Sequence, residues 1–532
     1  MTNRAALLFA FTFAVMADPV SSVAYAIEAA LRALRGDLAL LLPTMTLVVV
    51  IIVVVIVNYH QLVGRYPRGG GAPAAAAEAF GEASAFIPIA ALIVDFGLTI
   101  AISTAAAASA IIAFFPALDG LRAPIALLLI AGVAAGTWFG HRGRTVFAVM
   151  TVAFVMLTVV VLIFGLFLTP RFGSPANADP GHAPPLAVAL AFPVAMALAT
   201  GIEAPSSAIA QLGELDDAGR RKFGRITLWL TAIVVGALTL GLTAELAYLR
   251  IGVPPNDSTQ LAELARAATA PPLFAAFQLA TAFLLLSAAS SSFQAGPGLL
   301  KALARQREID GISAGILPAW LGRTNSRYTP YWGVAVFMVA AGAVTLAAGG
   351  RDQELVLFYA VAVFVAFHAG LISMCRFSWQ ERRFGSLAIN VVGAAAVSFT
   401  LAINVARGEP IVSIAAAVLI AAGLYALWVK SGRPRGIRHV TRSADSQEHR
   451  VGIASWALGQ PFLIVFRDSR APSGPPEPLD GHTCDCRRSV PVARSAAENR
   501  HENDGRGIKS TRLRRRCELH RCIATRSRVH TH

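Results

Sequence analysis

The chain contains 532 residues, of which 55% are hydrophobic and only 14% are charged, whereas soluble domains carry roughly 25% charged residues. This composition excludes a soluble enzyme, a disordered chain and a fibrous protein. The hydrophobic residues fall in blocks of roughly 18 or more, which is long enough for a helix to cross a bilayer. We therefore predict an all-α, multi-pass membrane protein.

The net charge of +15 is concentrated after residue 430. Residues 430–532 hold 21 of the 46 basic residues but only 10 of the 31 acidic residues. We predict a transmembrane transporter domain over residues 1–430 and a basic, disordered cytoplasmic tail over residues 431–532. The composition of the tail agrees with a segment that is attracted to anionic lipid. It agrees equally with the translation of a shifted reading frame. We disfavour a third interpretation, nucleic-acid binding, and predict no specific nucleic-acid partner.

Twelve apolar segments predict twelve membrane helices, because lipid offers backbone groups no hydrogen-bond partners. The first segment follows Arg4 and resembles a signal peptide, but apolar helices continue directly after it, so we expect it to be retained. The twelve segments cover approximately residues 5–33, 38–60, 85–114, 122–140, 145–168, 186–212, 225–249, 269–300, 330–348, 352–375, 385–405 and 410–430.

Basic residues in the connecting loops predict the orientation. If the amino terminus is cytoplasmic, the inner loops carry 16 Lys and Arg residues and the outer loops carry 8. Cytoplasmic loops of membrane proteins are enriched in Lys and Arg. We therefore predict a multi-pass protein of the inner or plasma membrane, with both termini in the cytoplasm.

Two of the predicted helices contain helix-breaking sequences. Residues 17–22 read Ala-Asp-Pro-Val-Ser-Ser, and residues 200–207 read Thr-Gly-Ile-Glu-Ala-Pro-Ser-Ser. Proline removes a backbone donor and clashes with the preceding turn. The breaks fall five helices apart, which predicts an inverted five-plus-five repeat with a binding site between the unwound segments. A pair of ordinary proline kinks is the alternative. The expected break residues are Pro19, Ser21, Gly201 and Pro205.

Three acidic residues, Asp18, Asp95 and Glu203, lie deep in apolar segments, where acids are candidates for a functional role. Asp95 is followed by Thr99 and Ser103 at helical spacing, so these three share one helix face. Such oxygen atoms are ligands for alkali and alkaline-earth cations, and a buried carboxyl can also carry a proton. We predict a transported cation, no other metal and no cofactor. The alternative for each acid is a structural hydrogen bond between helices.

For two other acidic residues, Glu28 and Glu245, the sequence gives weaker evidence of a functional role. Glu28 precedes Arg32 by four residues, which is typical of an ordinary ion pair on a helix near the outer surface. Glu245 lies near the outer end of the seventh predicted helix, and we expect it to face the membrane interface.

The sequence resembles the amino acid–polyamine–organocation (APC) superfamily over roughly residues 5–430. Within that superfamily, it is most similar to bacterial potassium importers of the KUP and KimA type. The matching segments are residues 18–25, 66–71, 95–99, 200–204 and 358–360, together with residues 297–301 and 317–318.

This resemblance implies a LeuT-type fold of about 12 helices, with a five-plus-five inverted repeat and broken helices 1 and 6. It also implies proton-coupled uptake of potassium, with H⁺ as the coupling ion and Glu203 tied to proton coupling. By the same resemblance, the cation would be surrounded by Asp18, Tyr25, Asp95, Thr99, Thr200 and Tyr359.

The sequence departs from those importers at Phe96, where a tyrosine is usual, and in the serines after Pro205. An amino acid or polyamine permease on the same fold therefore stays open, as does a channel or sensor that binds a cation without pumping it. Asp18 in the first break would repel a substrate carboxylate, which favours a small cation or an amine. The expected partners are that substrate and the lipid bilayer, and a homodimer is compatible with the sequence.

Overall fold

The computed structural model describes residues 4–139, 144–171, 181–212, 215–304, 315–408 and 411–433. Nearly all of the predicted tail, residues 434–532, lies outside this described part. The described residues form sixteen α-helices: α1 Arg4–Ser21, α2 Val23–Ala33, α3 Leu38–Arg65, α4 Gly71–Phe80, α5 Phe86–Phe114, α6 Arg122–Trp138, α7 Arg144–Phe167, α8 Pro184–Ala195, α9 Ala204–Ala208, α10 Asp217–Leu249, α11 Gln260–Ala268, α12 Pro271–Leu303, α13 Tyr331–Ala347, α14 Asp352–Gln380, α15 Phe384–Arg407 and α16 Ile411–Lys430.

Eleven stretches of the described chain are long and apolar enough to cross a membrane. The remaining predicted span is the shorter apolar helix Tyr331–Ala347, whose 17 residues extend about 25 Å, close to the thickness of a hydrocarbon core. The predicted all-α membrane fold is confirmed. Its first span comprises α1 and α2, and its sixth comprises α8 and α9.

The two interruptions differ in width. In the first span only Ser22 separates α1 from α2, and its backbone angles (φ −62°, ψ −26°) are close to helical. Pro19 lies inside α1. In the sixth span the chain leaves the helix over several residues, because Thr200 is extended (ψ 144°) and Gly201 has φ +81°. The first and sixth spans are thus the interrupted ones, five spans apart as predicted, but the sixth break is the wider.

The interrupted spans lie at the centre of the bundle. In the most apolar stretches of the first and sixth spans 72% of residues are buried, and the corresponding value for the third span is 67%. In α15 and α16 the values are 22% and 17%, so these helices present most of their surface to the surroundings. The central α5 packs against α6, α12, α14 and α16. Acidic residues on the central spans are therefore enclosed by protein.

Helix ends follow local signals in the sequence. The carboxylate of Asp37 accepts hydrogen bonds from the backbone N–H groups of Ala39 and Leu40 and caps α3. The carboxylate of Asp216 accepts from the N–H of Gly219 and caps α10, which ends at Arg250 in a left-handed conformation. Because both ends are fixed, α10 presents a defined face to its neighbours.

Candidate functional site

The interrupted first and sixth spans meet in the centre of the bundle. Gly201, with φ +81°, lies against the first span. A Cβ atom at Gly201 would lie 2.8 Å from both the carboxylate carbon of Asp18 and the backbone nitrogen of Pro19. Only glycine fits this approach, because it tolerates positive φ and carries no side chain. The unwound backbone of the sixth span is thereby held beside the first acid.

Three buried hydroxyl groups join the two spans. The Ser22 and Thr200 hydroxyl oxygens lie 2.8 Å apart, and the Tyr25 hydroxyl donates to Ser22 Oγ at 3.1 Å. Thr200 Oγ1 donates its proton to the carbonyl of Ala197. The Ser22 hydroxyl also lies 3.4 Å from the Thr200 carbonyl oxygen, which accepts from it. The hydroxyl groups of Tyr25, Ser22 and Thr200 therefore form a hydrogen-bonded chain that connects α2 to the unwound backbone of the sixth span.

Three buried acidic side chains lie on the first, third and sixth spans. The exposed fractions of Asp18, Asp95 and Glu203 are 8%, 2% and 6%. Each has one carboxylate oxygen without a hydrogen-bond partner among the described residues. Asp95 interacts electrostatically with both Glu203 and Asp18. Unpaired negative charge is costly in a buried position, so the three acids together favour the arrival of positive charge.

Among the described residues, no three His, Cys, Asp or Glu side chains lie close enough together to hold a metal ion. Asp18, Asp95 and Glu203 therefore do not form a compact cluster in this conformation. On α5, Thr99 and Ser103 are buried along with Asp95. Hydroxyl and carboxylate oxygens are thus the polar groups on this buried face of α5.

Three different helices carry the remaining predicted residues, Ser21, Pro205 and Tyr359. The Ser21 hydroxyl donates to the Asp18 carbonyl at 2.6 Å and stays within α1. Pro205 lies in the first turn of α9, where a missing N–H costs little. Tyr359 lies in α14, and its side chain is outside the described part, so the structure does not relate it to the junction.

Two buried residues, Ser22 and Tyr59, were not predicted from the sequence as site residues. Ser22 was part of the first break, but its direct contact with Thr200 depends on how two distant spans pack. Tyr59 of α3 is 1% exposed and interacts electrostatically with Glu203 and Asp95. The polar neighbours Asn58, His60 and Gln61 were the local sign that this part of α3 faces protein.

Glu28 is more deeply placed than an ordinary surface ion pair. It is 3% exposed, and its carboxylate accepts from Arg32 Nε at 2.8 Å. The second carboxylate oxygen accepts from the backbone N–H of Gln260, the first residue of α11, at 3.0 Å. Glu28 therefore joins the first span to a helix in the loop between the seventh and eighth spans.

Comparison with known proteins gives a family match over most of the chain. The family model described as "Amino acid permease" matches residues 8–441. A curated relative, "Potassium transporter KimA" of Bacillus subtilis (strain 168), is 29% identical over 394 residues. The match covers 71% of this chain and 63% of the relative, so the chain spans just under two thirds of that protein's length.

A solved structure is also similar. It is the crystal structure of a mutant of the manganese transporter of Eremococcus coleocola, at 14% sequence identity and a TM-score of 0.42. The match covers 81% of this chain and 95% of the other chain.

Proposed function

This chain belongs to the amino acid permease family, and from that premise we propose that it takes up potassium together with protons. The observation that carries the proposal is the junction of the first and sixth spans. There the Ser22–Thr200 hydrogen bond lies beside Asp18 and Glu203. The side-chain atoms available as ligands in these residues are oxygen atoms. A selective cation site replaces the waters of the ion with such oxygens.

The proposed cation ligands are Asp18, Tyr25, Asp95, Thr99, Thr200 and Tyr359, and Glu203 is the proposed proton carrier. Three buried acids cannot all be ionised without compensation, because each repels the others. Binding of one potassium ion at Asp18 and Asp95 and of one proton at Glu203 would leave a single negative charge on the three acids in place of three. This joint reduction of negative charge is the physical basis of the proposed coupling, which needs no cofactor besides the proton.

The name of the relative supports potassium as the cargo, since that protein is a potassium transporter and shares 29% of aligned residues with this chain. The proposed setting is the cell membrane, with both termini in the cytoplasm. The family description favours a second candidate, an amino acid or polyamine permease. The Asp18 carboxylate would repel an amino acid carboxylate but would attract a polyamine, so polyamines are the stronger competitor.

Rubidium uptake tests the proposal. The full chain, Glu203→Gln and a chain ending near residue 430 are produced in a bacterium that lacks its own potassium importers. We expect saturable rubidium uptake that stops when the proton gradient is collapsed and is lost in Glu203→Gln. The shortened chain tests whether the tail is required.

The control variant is Asp119→Asn, which changes an exposed acid in the loop before α6 and should leave uptake unchanged. Rubidium flux that persists without a proton gradient would indicate a channel. Uptake inhibited by polyamines or amino acids but not by potassium would favour the second candidate. No rubidium uptake by protein that is present in the membrane would rule out potassium.

A further inference from the structure

Another buried acid, Glu245, lies outside the junction. Glu245 is on α10, four residues before the last residue of that helix, and is 0% exposed. Neither carboxylate oxygen has a hydrogen-bond partner among the described residues. The expectation that Glu245 faces the membrane interface is therefore wrong, because its carboxyl group is enclosed by protein.

The enclosure is formed by α7. A Cβ atom at Gly165 of α7 would overlap the carboxylate of Glu245. One turn earlier on α10, a Cβ atom at Gly241 would lie 3.1 Å from Leu162 Cδ1 of α7. The two helices thus approach closely through glycines on both sides, and the carboxyl group of Glu245 occupies the space that the missing side chain of Gly165 leaves.

Among the described residues, no charged side chain pairs with the carboxyl group of Glu245. The nearby Arg171 guanidinium stacks over the Tyr248 ring, 4.6 Å from its centre. Among the side chains that the structure describes, none forms an ion pair or hydrogen bond with Glu245. The helices packed against α10 carry the following charged or titratable residues: Arg4 and Asp18 on α1, Glu28 and Arg32 on α2, His60 and Arg65 on α3, and Arg144 on α7. Asp37, Arg171 and Glu203 lie beside the ends of these elements, and Arg250 lies at the end of α10 itself.

An ionised carboxylate enclosed between membrane helices without any partner is strongly disfavoured, whereas a neutral acid is tolerated. We propose that Glu245 is a second proton-binding site, which holds its proton while α7 and α10 are packed together and releases it when they separate. The site lies about 6 Å along the helix axis from the end of α10. In the predicted orientation this is the outer end, so the proton exchanges with external water.

This inference goes beyond the proposed potassium–proton uptake, because it concerns a proton site that touches none of the proposed cation ligands. Its first test needs no transported substrate. Failure of the potassium proposal would therefore leave the test of Glu245 intact.

Dicyclohexylcarbodiimide, an apolar reagent, tests whether the acid is neutral and shielded from water. The carboxyl proton passes to one carbodiimide nitrogen, and the carboxyl oxygen bonds to the central carbon. The acyl group then moves from that oxygen to a nitrogen, giving a stable N-acylurea that retains every atom of both partners. Peptide mass spectrometry of the purified full chain locates this adduct.

We expect Glu245 to carry the adduct at about pH 7, where an exposed glutamate is ionised. The matched control is Glu354, an exposed acid on α14. A water-soluble carbodiimide with glycine ethyl ester should label Glu354 to a much greater extent than Glu245. Absence of the adduct at Glu245, or equal labelling of Glu245 and Glu354 by the water-soluble reagent, would overturn the proposal.

Glu245→Gln tests proton release, because glutamine keeps the size of the side chain but cannot ionise. We expect the ratio of uptake at low external pH to uptake at high external pH to shrink at least about twofold, measured with whichever substrate is transported. A purely structural role for Glu245 would lower uptake at every pH without changing that ratio. An unchanged ratio would overturn release of the proton, even if the adduct forms.

Discussion

Gly201 and Asp18, which are far apart in the sequence, are in direct contact: a Cβ atom at position 201 would lie 2.8 Å from the carboxylate carbon of Asp18. Gly201 also has φ +81°, a conformation that costs an L-residue roughly 1–2 kcal/mol. The unwound part of the sixth span therefore depends on this one glycine. A Cβ atom at this position would also lie 2.8 Å from the backbone nitrogen of Pro19 in the first span.

Gly201→Ala should abolish uptake and destabilise the protein by more than about 2 kcal/mol, because the conformational cost adds to the clash with Asp18 and Pro19. Gly132→Ala is the matched control, since a Cβ atom there meets no atom within 4 Å. It should be neutral or slightly stabilising. Thermal unfolding in detergent and uptake in cells check both variants, and equal effects at the two positions would contradict the role given to Gly201.

Thr200→Val keeps the shape of the side chain but removes the hydroxyl that is hydrogen-bonded to Ser22. We expect KM for the transported substrate to rise roughly tenfold, equivalent to about 1.4 kcal/mol. Thr227→Val is the control, because Thr227 forms a similar buried hydroxyl pair with Thr12 at 2.9 Å. Both variants should lose comparable stability, but KM should rise only in Thr200→Val. An equal rise in both would show that the effect is structural.

Glu28→Gln should weaken the attachment of α11 to the first span, because a carboxylate that accepts from Arg32 and from the Gln260 backbone becomes a neutral amide. The expected loss is about 1.5–3 kcal/mol, the range for hydrogen bonds to charged groups. Limited proteolysis of the loop that carries α11 should be faster in this variant. Asp119→Asn, which removes an exposed ion pair with Arg122, should cost less than about 1 kcal/mol.

Asn390→Ala should loosen the packing of α15, because the Asn390 amide bonds to Asn58 of α3 at 2.9 Å and to Ser378 of α14 at 3.3 Å. Hydrogen bonds between membrane helices contribute about 0.6 kcal/mol each on average, so we expect a loss of about 1–2 kcal/mol. Asn404→Ala on the same helix should cost less, since the Asn404 amide nitrogen has no partner among the described residues. If Asn404→Ala lowered the thermal unfolding temperature more than Asn390→Ala does, the role given to Asn390 would be contradicted.

Much of the fold could be predicted from the sequence, because a membrane imposes strong rules on a single segment. Each span must be long, apolar and helical, so the segments and the interruptions at residues 17–22 and 200–207 were visible. The acids Asp18, Asp95 and Glu203 stood out because charge is rare in such segments. The ninth span was also predicted, although its helix is shorter than the others.

The contacts between spans could not be predicted in this way. Helical periodicity places residues on one face of one helix, but it does not give the rotation of that helix relative to its neighbours. The tertiary structure alone decided that Ser22 bonds to Thr200, that Tyr59 is buried, and that Glu245 is enclosed against Gly165 instead of facing the interface. Close packing sets these contacts, and it depends on side chains that are distant in the sequence.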